Sequence, residues 1–468
     1  MTTARIFLKD EVYCTIVGLS GADNLQLFNQ FGIEIEGAFF HPAVKLGRWD
    51  GKVRFFERTG RTYISLLEDI VPSLVGWGYE IDIVDERTQH KLPGGLATSD
   101  MFSHMIGYGG KPVVVRPYQV ESINVLVEQG SGFVIAGTGA GKSLITAGLS
   151  EVYGRAGYKT ITIVPSSDLV TQTADAFRMC GMDVGEYSGD KKEVDKTHVI
   201  ATWQSLQNNP HVMKMFQVVI VDEAHGAKAD VIKGLINDHG HHIAFRFGVT
   251  GTFPKPKIDQ MNLICSIGRV LKTITSKWLI ENSYLAEVEI ELAMTQEHAD
   301  LPDYTAEKSF LSRCEERLDH IAEIVQENME KYGNTLVLVN SIQFGRKLAK
   351  LIPGSVFLSG ESDKDLRQLN YKGFEDRDDV IVIATSGIAS TGISIDRIFC
   401  LFLIDAGKSF IKAIQSIGRG LRRADDKNKV YVVDVFSSLK YSKKHSKDRI
   451  KWYTEAGYPM NKLRKIVY

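Results

Sequence analysis

The chain has 468 residues, of which 44% are hydrophobic and 24% charged. This composition is typical of a globular protein, and at about 150 residues per domain the length favours roughly three domains. The formal net charge of −1 excludes a protein that attracts nucleic acid over its whole surface, so any basic surface must be local.

Residues 1–95 alternate short apolar runs with basic and aromatic residues, which predicts a small N-terminal α+β domain. Within them, segment 45–61 has six basic residues against two acidic ones, a net charge of +4. Basic groups pair with phosphates, and aromatic rings such as those of Phe55 and Phe56 can stack on exposed bases. The candidate nucleic-acid contacts are Arg48, Trp49, Lys52 and Arg54. The alternative is a twisted hairpin with a core of aromatic side chains and solvated charges.

A glycine-rich stretch at 91–110 predicts a linker, and the pattern of apolar and polar residues changes at about residue 112. From there to residue 285, short apolar runs alternate with helical patterns, as in a doubly wound α/β domain whose parallel sheet is covered on both faces. The predicted strands of this first α/β domain are Phe133–Ala136, Thr160–Val164, Val199–Thr202, Val218–Asp222 and Arg246–Thr250.

The sequence Val-Arg-Pro-Tyr-Gln, which ends at Gln119, opens this domain. A glutamine amide can donate a hydrogen bond to one edge of adenine and accept one from its amino group. Gln119 is therefore a candidate for selecting ATP over GTP.

The first predicted strand runs into a glycine-rich loop and then a helical pattern, the context that a phosphate-binding loop requires. Its glycines let backbone N–H groups converge on phosphate oxygens at a helix N-terminus. Lys142 would reach the β- and γ-phosphates, and Ser143 would hold Mg²⁺. The strict pattern begins with glycine, whereas this loop begins with alanine, and the loop alone does not separate motors from kinases or GTPases. The candidate ATP-binding residues of the loop are Ala136, Gly137, Thr138, Gly139, Ala140, Gly141, Lys142 and Ser143.

The strand predicted at 218–222 ends in an Asp-Glu-Ala-His sequence, which places two carboxylates at the edge of the sheet where such folds bind phosphates. Asp222 would hold Mg²⁺, and Glu223 would orient and deprotonate the attacking water. In isolation, the same carboxylates would equally suit the start of a helix. The candidates for coupling nucleotide state to a bound strand are His225, Thr250 and Thr252.

Residues 286–440 repeat the α/β rhythm and predict a second domain of similar size, with helical patterns at 341–351 and 363–374. The predicted strands of this second α/β domain are Thr335–Val339, Ser355–Leu358, Val380–Thr385, Phe399–Ile404 and Val430–Val435. The loop after the third of these begins with Thr385 and Ser386, whose N–H and O–H groups suit a sugar-phosphate backbone.

Arg419 and Arg422 lie three positions apart on a predicted helix, so they share a face. Arginines stabilise the charge that develops during phosphoryl transfer, often from a neighbouring domain. ATP would thus draw the two domains together and hydrolysis would release them, with Gln415 as a further coupling residue. The alternative is a basic surface helix.

The C-terminal tail, residues 441–468, together with Lys440 carries nine basic residues against two acidic ones, a net charge of +7. A solvated terminal helix explains this charge as readily as a surface for a second duplex arm. Trp452 and Tyr453 either stack on DNA or anchor the helix.

Between residues 112 and 437, these elements resemble the superfamily 2 helicases in type and order: glutamine motif, phosphate loop, acidic box, Thr-Gly-Thr and Gln-x-x-Gly-Arg-x-x-Arg. The resemblance implies two tandem RecA-like domains that hydrolyse ATP with Mg²⁺ while moving on nucleic acid. It also implies strand contacts by residues in two short segments of the first domain. These residues are Pro165, Ser166, Gln172, Thr202, Gln204 and Ser205.

A closer resemblance, to phage UvsW-type recombination helicases, rests on Phe-His-Pro at 40–42 and Gly-Arg-Trp-Asp-Gly-Lys-Val-Arg at 47–54. It implies action on branched DNA such as forks, displacement loops and Holliday junctions, in recombination, repair or replication. We expect a monomer on DNA, with recombination or replication proteins as candidate partners.

Two other functions stay open. The same motifs grip RNA or RNA–DNA hybrids, and only contacts to the 2′-hydroxyl would discriminate these from DNA. A nucleotide-gated DNA-binding module without turnover would need neither Glu223 nor Arg422. A nuclease motor subunit lacks support, because no further metal-carboxylate cluster is evident in the sequence.

The five cysteines form no CxxC pair, which argues against a zinc site or a disulfide framework and favours a reducing compartment. The N-terminus has no long apolar run, and no stretch approaches the roughly 18 apolar residues of a membrane span. We therefore expect a cytoplasmic protein, in the host cytoplasm if it is encoded by a phage.

Overall fold

The computed structural model describes residues 2–106, 112–137, 139–223, 229–360, 362, 377–385, 398–406, 429–455, 458–461 and 463–467. The chain divides into two compact units, Met1–Gly137 with Gly141–Ile274, and Thr275–Tyr468 with Thr138–Ala140. The first unit contains the N-terminal domain and the first α/β domain. The second unit contains the second α/β domain.

The N-terminal domain is built on a four-stranded sheet of order β5-β2-β1-β6, beside a hairpin of β3 and β4. Its elements are β1 (Thr2–Leu8), β2 (Tyr13–Val17), α1 (Gly21–Gln30), β3 (Gly32–Glu34), α2 (Pro42–Lys45), β4 (Lys52–Arg54), β5 (Arg61–Tyr63), α3 (Leu67–Gly76) and β6 (Tyr79–Asp85). Alternate residues of β1 face the core, as strand geometry requires. The predicted α+β domain is confirmed, and Phe55 and Phe56 are fully buried in its core rather than available to bases.

The first α/β domain has an eight-stranded sheet of order β10-β9-β11-β8-β12-β13-β7-β14, parallel except at β10. Its elements are α4 (Pro117–Gln129), β7 (Ser131–Ala136), α5 (Lys142–Arg155), β8 (Thr160–Val164), α6 (Ser167–Met179), β9 (Val184–Ser188), β10 (Lys191–Lys192), β11 (His198–Thr202), α7 (Trp203–Asn208), β12 (Val218–Asp222), α8 (Ala229–Lys233), β13 (Phe245–Thr250), α9 (Lys257–Ser266) and β14 (Val270–Ile274). All five predicted strands are confirmed, with starts shifted by at most two residues.

Strand β9 is not predicted from the sequence, because its residues, Val-Gly-Glu-Tyr-Ser, form no continuous apolar run. Every residue of β9 is nevertheless buried. The Glu186 carboxylate is compensated by Arg178 at 2.8 Å and Lys191 at 2.9 Å. A buried charge is tolerated when it is paired and hydrogen-bonded, so the strand can occupy an interior position.

The stretch predicted as a linker packs against the first α/β domain where it is described. Phe102 is fully buried, and Met101 is nearly so. The backbone N–H of Ala97 donates to the Asn124 side chain at 2.8 Å, and the Asn124 amide donates back to the Ala97 carbonyl at 3.1 Å. The glycines at 94–95 and 109–110 predict a linker, but Ala97, Met101 and Phe102 between them are buried.

The second α/β domain has a seven-stranded parallel sheet of order β17-β18-β16-β19-β20-β15-β21. Its elements are α10 (Ser276–Glu281), β15 (Glu287–Thr295), α11 (Tyr304–Arg313), α12 (Glu315–Tyr332), β16 (Thr335–Val339), α13 (Ile342–Leu351), β17 (Val356–Leu358), β18 (Ile381–Thr385), β19 (Cys400–Ile404), β20 (Lys429–Ser437), α14 (Lys440–Glu455) and β21 (Arg464–Ile466). The five predicted strands and the helix at 341–351 are confirmed. The helical pattern at 363–374 lies outside the described residues.

Helix α14 is anchored to the second sheet by a buried polar cluster. The Arg449 guanidinium donates two hydrogen bonds of 2.8 Å to the Asp434 carboxylate on β20. The Tyr453 hydroxyl donates to the same carboxylate at 2.9 Å, and Arg449, Asp434 and Tyr453 are at most 2% exposed. Burial raises the pKa of Tyr453 well above its ordinary value, and the neighbouring Asp434 charge acts in the same direction. Tyr453 therefore anchors the helix instead of stacking on DNA.

We expect Tyr453→Phe to loosen α14 locally, because Asp434 then loses one donor to a buried charge. Such a hydrogen bond contributes about 1.5 kcal/mol, which corresponds to roughly tenfold faster amide exchange. Hydrogen–deuterium exchange over residues 440–455 measures this, with Tyr441→Phe on the same helix as the matched control. Equal exchange in the two variants would contradict the anchoring role.

Within the described residues, no helix combines the length and the apolar character needed to cross a membrane.

Candidate nucleotide-binding site

Strand β7 and helix α5 are joined by the predicted phosphate loop. Gly139 and Gly141 have φ angles of 83° and 73°, a left-handed backbone that glycine adopts without a steric penalty. The N–H of Gly137 donates to the Ile274 carbonyl at the end of β14 at 2.7 Å, which fixes the start of the loop. Gly141 gives α5 no side-chain cap, so the first N–H groups of the helix suit a phosphate.

Asp222 and Glu223, the first two residues of the acidic box at 222–225, meet this loop at the same edge of the sheet. The Lys142 ammonium nitrogen lies 3.2 Å from Glu223 Oε1, and both side chains are about one quarter exposed, at 21% and 26%. The Glu223 N–H donates to the Val249 carbonyl at 3.0 Å, and its φ is 53°. A positive φ is uncommon for a residue other than glycine, and such strain is typical of functional sites. Asp222, the last residue of β12, precedes this turn.

Gly251 follows the last residue of β13 and lies beside Lys142 and Glu223. A Cβ atom added there would lie 3.4 Å from Lys142 Nζ and 3.9 Å from Glu223 Oε2, so any side chain would enter the space beside both groups. The adjacent Thr250 hydroxyl donates to the Thr252 carbonyl at 2.9 Å, which holds the turn. The Thr-Gly-Thr sequence thus lies beside the lysine and the glutamate. The hydroxyls of the two threonines make them candidates from the sequence alone, whereas the place of Gly251 beside Lys142 and Glu223 is seen only in the structure.

Gln119 lies against the phosphate loop, 22 positions before Gly141 in the chain. A Cβ atom at Gly141 would collide with Gln119 Nε2, so the glycine allows this close approach. The backbone N–H of Arg116 donates to Gln119 Oε1 at 2.9 Å, and the glutamine side chain is buried. The structure places Gln119 beside Gly141 of the predicted phosphate loop, and its role in selecting adenine stays a prediction.

The two predicted strand-contacting segments of the first α/β domain lie side by side. They follow β8 and β11, which are neighbours in the sheet, and Gln204 Nε2 donates to the Pro165 carbonyl at 3.3 Å. Ser166 caps α6 by accepting from the Leu169 N–H, and Thr202 caps α7 by accepting from the Ser205 N–H. Gln172 lies further along α6 and is half-buried.

The predicted contacts of the N-terminal domain differ in how accessible they are. Arg54 forms an ion pair with Asp50 and its guanidinium lies 4.4 Å from the centre of the Phe28 ring, so its side chain is only 14% exposed. Trp49 is half-buried and donates through Nε1 to the Lys52 carbonyl at 3.1 Å. Arg48 is exposed, and Lys52 is half-buried.

Six of the predicted site residues lie outside the described residues: Thr138, His225, Ser386, Gln415, Arg419 and Arg422. Thr385 is described and ends β18 at the carboxyl edge of the second sheet. In the part of the chain that the structure describes, no group of three His, Cys, Asp or Glu side chains could hold a metal ion by itself.

Two family models match the chain in tandem. Residues 112–255 match the model described as the res subunit of type III restriction enzymes, and residues 316–424 match the helicase conserved C-terminal domain. The chain is similar to the ATP-dependent DNA helicase uvsW of Enterobacteria phage T4, with 25% identity over 92% of this chain and 93% of the relative. It is also similar to the DNA 3′-5′ helicase XPB of Kineococcus radiotolerans, with 24% identity over 76% of this chain and 66% of the relative.

The crystal structure of T4 UvsW has the same fold, with a TM-score of 0.51 at 22% identity and coverage of 99% of both chains. Two RecA-like parallel-sheet domains and a small N-terminal domain are thus shared with a solved helicase. The phosphate loop and the acidic box are assembled on the first of these domains, with Lys142 and Glu223 in contact. The chain therefore belongs to the superfamily 2 helicases, as an ATP-dependent member of that superfamily.

Proposed function

We propose that this chain is an ATP-dependent DNA helicase or translocase that remodels branched DNA such as forks, displacement loops and Holliday junctions. The observation that carries ATP hydrolysis is the 3.2 Å contact between Lys142 and Glu223. The choice of DNA is supported by the phage T4 relative, a named DNA helicase that matches 92% of this chain. The choice of branched DNA is supported by the resemblance of residues 40–54 to phage recombination helicases.

Each candidate side chain would have a separate role in hydrolysis, including Arg419 and Arg422, which lie outside the described residues. The Lys142 ammonium would neutralise charge on the β- and γ-phosphates, and the Glu223 carboxylate would orient the attacking water and take its proton. Ser143 and Asp222 offer the oxygen ligands that Mg²⁺ prefers, and a bound ion would supply further neutralisation of phosphate charge. Arg419 and Arg422 would stabilise the charge that develops on the transferred group.

The N-terminal domain is held on the first α/β domain, which suits a domain that directs the motor to a substrate. The Arg269 side chain binds Glu68 at 3.0 Å and also pairs with Asp69. The Glu11 N–H donates to the His241 carbonyl at 2.8 Å. DNA bound by this domain would therefore be presented to the motor in a defined position.

The substrate is tested by measuring ATPase stimulation and unwinding on single-stranded DNA, a fork, a four-way junction and an RNA–DNA hybrid. We expect the fork and the junction to be remodelled fastest. Faster unwinding of the RNA–DNA hybrid would favour the alternative of an RNA or RNA–DNA helicase. Turnover without remodelling of any substrate would reject the proposal.

We further expect Arg48→Gln with Lys52→Gln to weaken junction binding, because two cations near phosphates are lost. Each phosphate contact contributes about 0.9 to the slope of log Kobs against log salt, so this slope should fall by about 1 to 2. The matched control is Lys9→Gln with Lys91→Gln, which removes two exposed charges elsewhere in the first unit. Equal slopes for both double variants would remove Arg48 and Lys52 from the DNA contacts.

A further inference from the structure

Helix α14 carries a row of exposed lysines, which we call the lysine stripe. All five side chains are exposed, and no residue that the structure describes forms an ion pair with any of them. At about 100° per residue they fall within an arc of roughly 100°, and they extend over about 16 Å of the helix. The lysine stripe consists of Lys440, Lys443, Lys444, Lys447 and Lys451. Asp448 lies on the same helix, next to Lys447 in the sequence, and is exposed.

The opposite face of α14 is buried and packs against the second sheet. Ser442, Ser446, Arg449 and Tyr453 are buried, and the last two bind Asp434 on β20. The Glu307 carboxylate accepts hydrogen bonds from the backbone N–H groups at 441 and 442, at 2.9 and 2.6 Å. The helix is thus fixed at its start and along its length, so the lysines are displayed from a rigid support rather than a loose tail.

The stripe begins at the carboxyl edge of the second sheet. Thr385, a predicted contact for the nucleic-acid backbone, lies at the same edge. Strand β20 ends at Ser437, and α14 starts three residues later. A cavity at this edge is lined by Asn340 after β16, Asp405 after β19, and Ser442 and His445 of α14. Thr385 ends β18, three strands away from β20, which corresponds to about 14 Å at the usual strand spacing.

We propose that the lysine stripe is a second phosphate-binding surface, which holds a duplex arm of the DNA on which the motor acts. A duplex carries one phosphate charge for about every 1.7 Å of its axis, so a stripe of this length would meet several phosphates. Lysines contact backbone without reading bases, which suits substrates of varied sequence. This inference rests on the proposed function, because it takes DNA as the substrate.

The test neutralises four of the five lysines of the stripe in the full chain and measures binding to a synthetic four-way junction across a salt series. In the variant carrying Lys440→Gln, Lys444→Gln, Lys447→Gln and Lys451→Gln, we expect the slope of log Kobs against log salt to fall by about 2 to 3.5. We expect the affinity at low salt to fall about tenfold or more. ATPase stimulated by a short single strand should be unchanged, because a single strand has no duplex arm for the stripe to hold.

Two control variants and one further probe make the result decisive. Arginine at the same four positions should preserve the slope, because arginine also binds phosphate. Glutamine on three other helices of the unit, at Lys277, Lys331, Lys347 and Lys350, should leave the slope close to that of the unaltered protein. An unchanged slope in the stripe variant would overturn the proposal, as would binding of the stripe to anionic lipid vesicles with junction binding intact. Absence of DNA-stimulated ATPase in the unaltered protein would instead reject the proposed function.

Discussion

Replacing Glu223 by glutamine is expected to lower kcat for ATP hydrolysis by about 10² to 10⁴-fold while affinity for ATP is kept. The amide has nearly the shape of the carboxylate but cannot accept a proton from the attacking water. Lys142 would lose its charged partner at 3.2 Å, yet it would still face the phosphates. Single-turnover hydrolysis and binding of a fluorescent ATP analogue separate the two effects.

The matched control for this variant is Glu128→Gln, an exposed carboxylate on α4. It should leave both turnover and nucleotide binding unchanged, since Glu128 lies outside the site. Normal hydrolysis by Glu223→Gln would remove the proton-accepting role from this residue. A collapse of nucleotide binding in the same variant would instead show that the carboxylate organises the loop.

Lys142→Ala is expected to abolish measurable turnover and to weaken ATP binding by about ten- to 100-fold. Hydrogen bonds from a charged group contribute about 1.5 to 3 kcal/mol, and we expect this ammonium to bind the β- and γ-phosphates. Isothermal titration gives the affinity, and phosphate release gives the turnover. Unlike Glu223→Gln, this variant should lose binding and catalysis together.

The control for Lys142→Ala is Lys257→Ala, which removes an exposed lysine at the start of α9. Circular dichroism and thermal melting should show that both variants keep the fold, because the Lys142 side chain is partly exposed. Hydrolysis at the normal rate by Lys142→Ala would refute the assignment of the phosphate loop.

The two RecA-like sheets were predictable because their central strands are continuous apolar runs, such as Val218–Asp222 and Thr335–Val339. Helices cover both faces of a parallel sheet, so its central strands need apolar side chains on both faces. A continuous apolar run in the sequence therefore predicts such a strand. Strand β15 mixes glutamates with apolar residues, since it lies nearer the edge of the second sheet. That pattern is also compatible with a loop, so the strand was missed.

The contact between Lys142 and Glu223 was predictable, because phosphate chemistry requires a lysine after the glycine loop and a carboxylate after a later strand. The close approach of Gln119 to Gly141 and of Lys142 to Gly251 was not predictable, because it depends on the tertiary structure around a residue without a side chain. Arg54 illustrates the opposite limit. A basic residue within a basic segment suggests a DNA contact, and only the tertiary structure shows that it is turned inward on Phe28 and Asp50.

The burial of Arg449 and Tyr453 on Asp434 has a consequence for deletion mapping of this protein. Removing the chain after residue 439 would leave the fully buried Asp434 carboxylate without Arg449 and Tyr453. The folded state would be destabilised by about 3 to 5 kcal/mol. It would also strip β21 from β15 and leave an unprotected strand edge, which promotes aggregation. Loss of activity in such a shortened protein would report misfolding rather than the removal of a binding surface, so the lysines of α14 are accessible to analysis only by substitution.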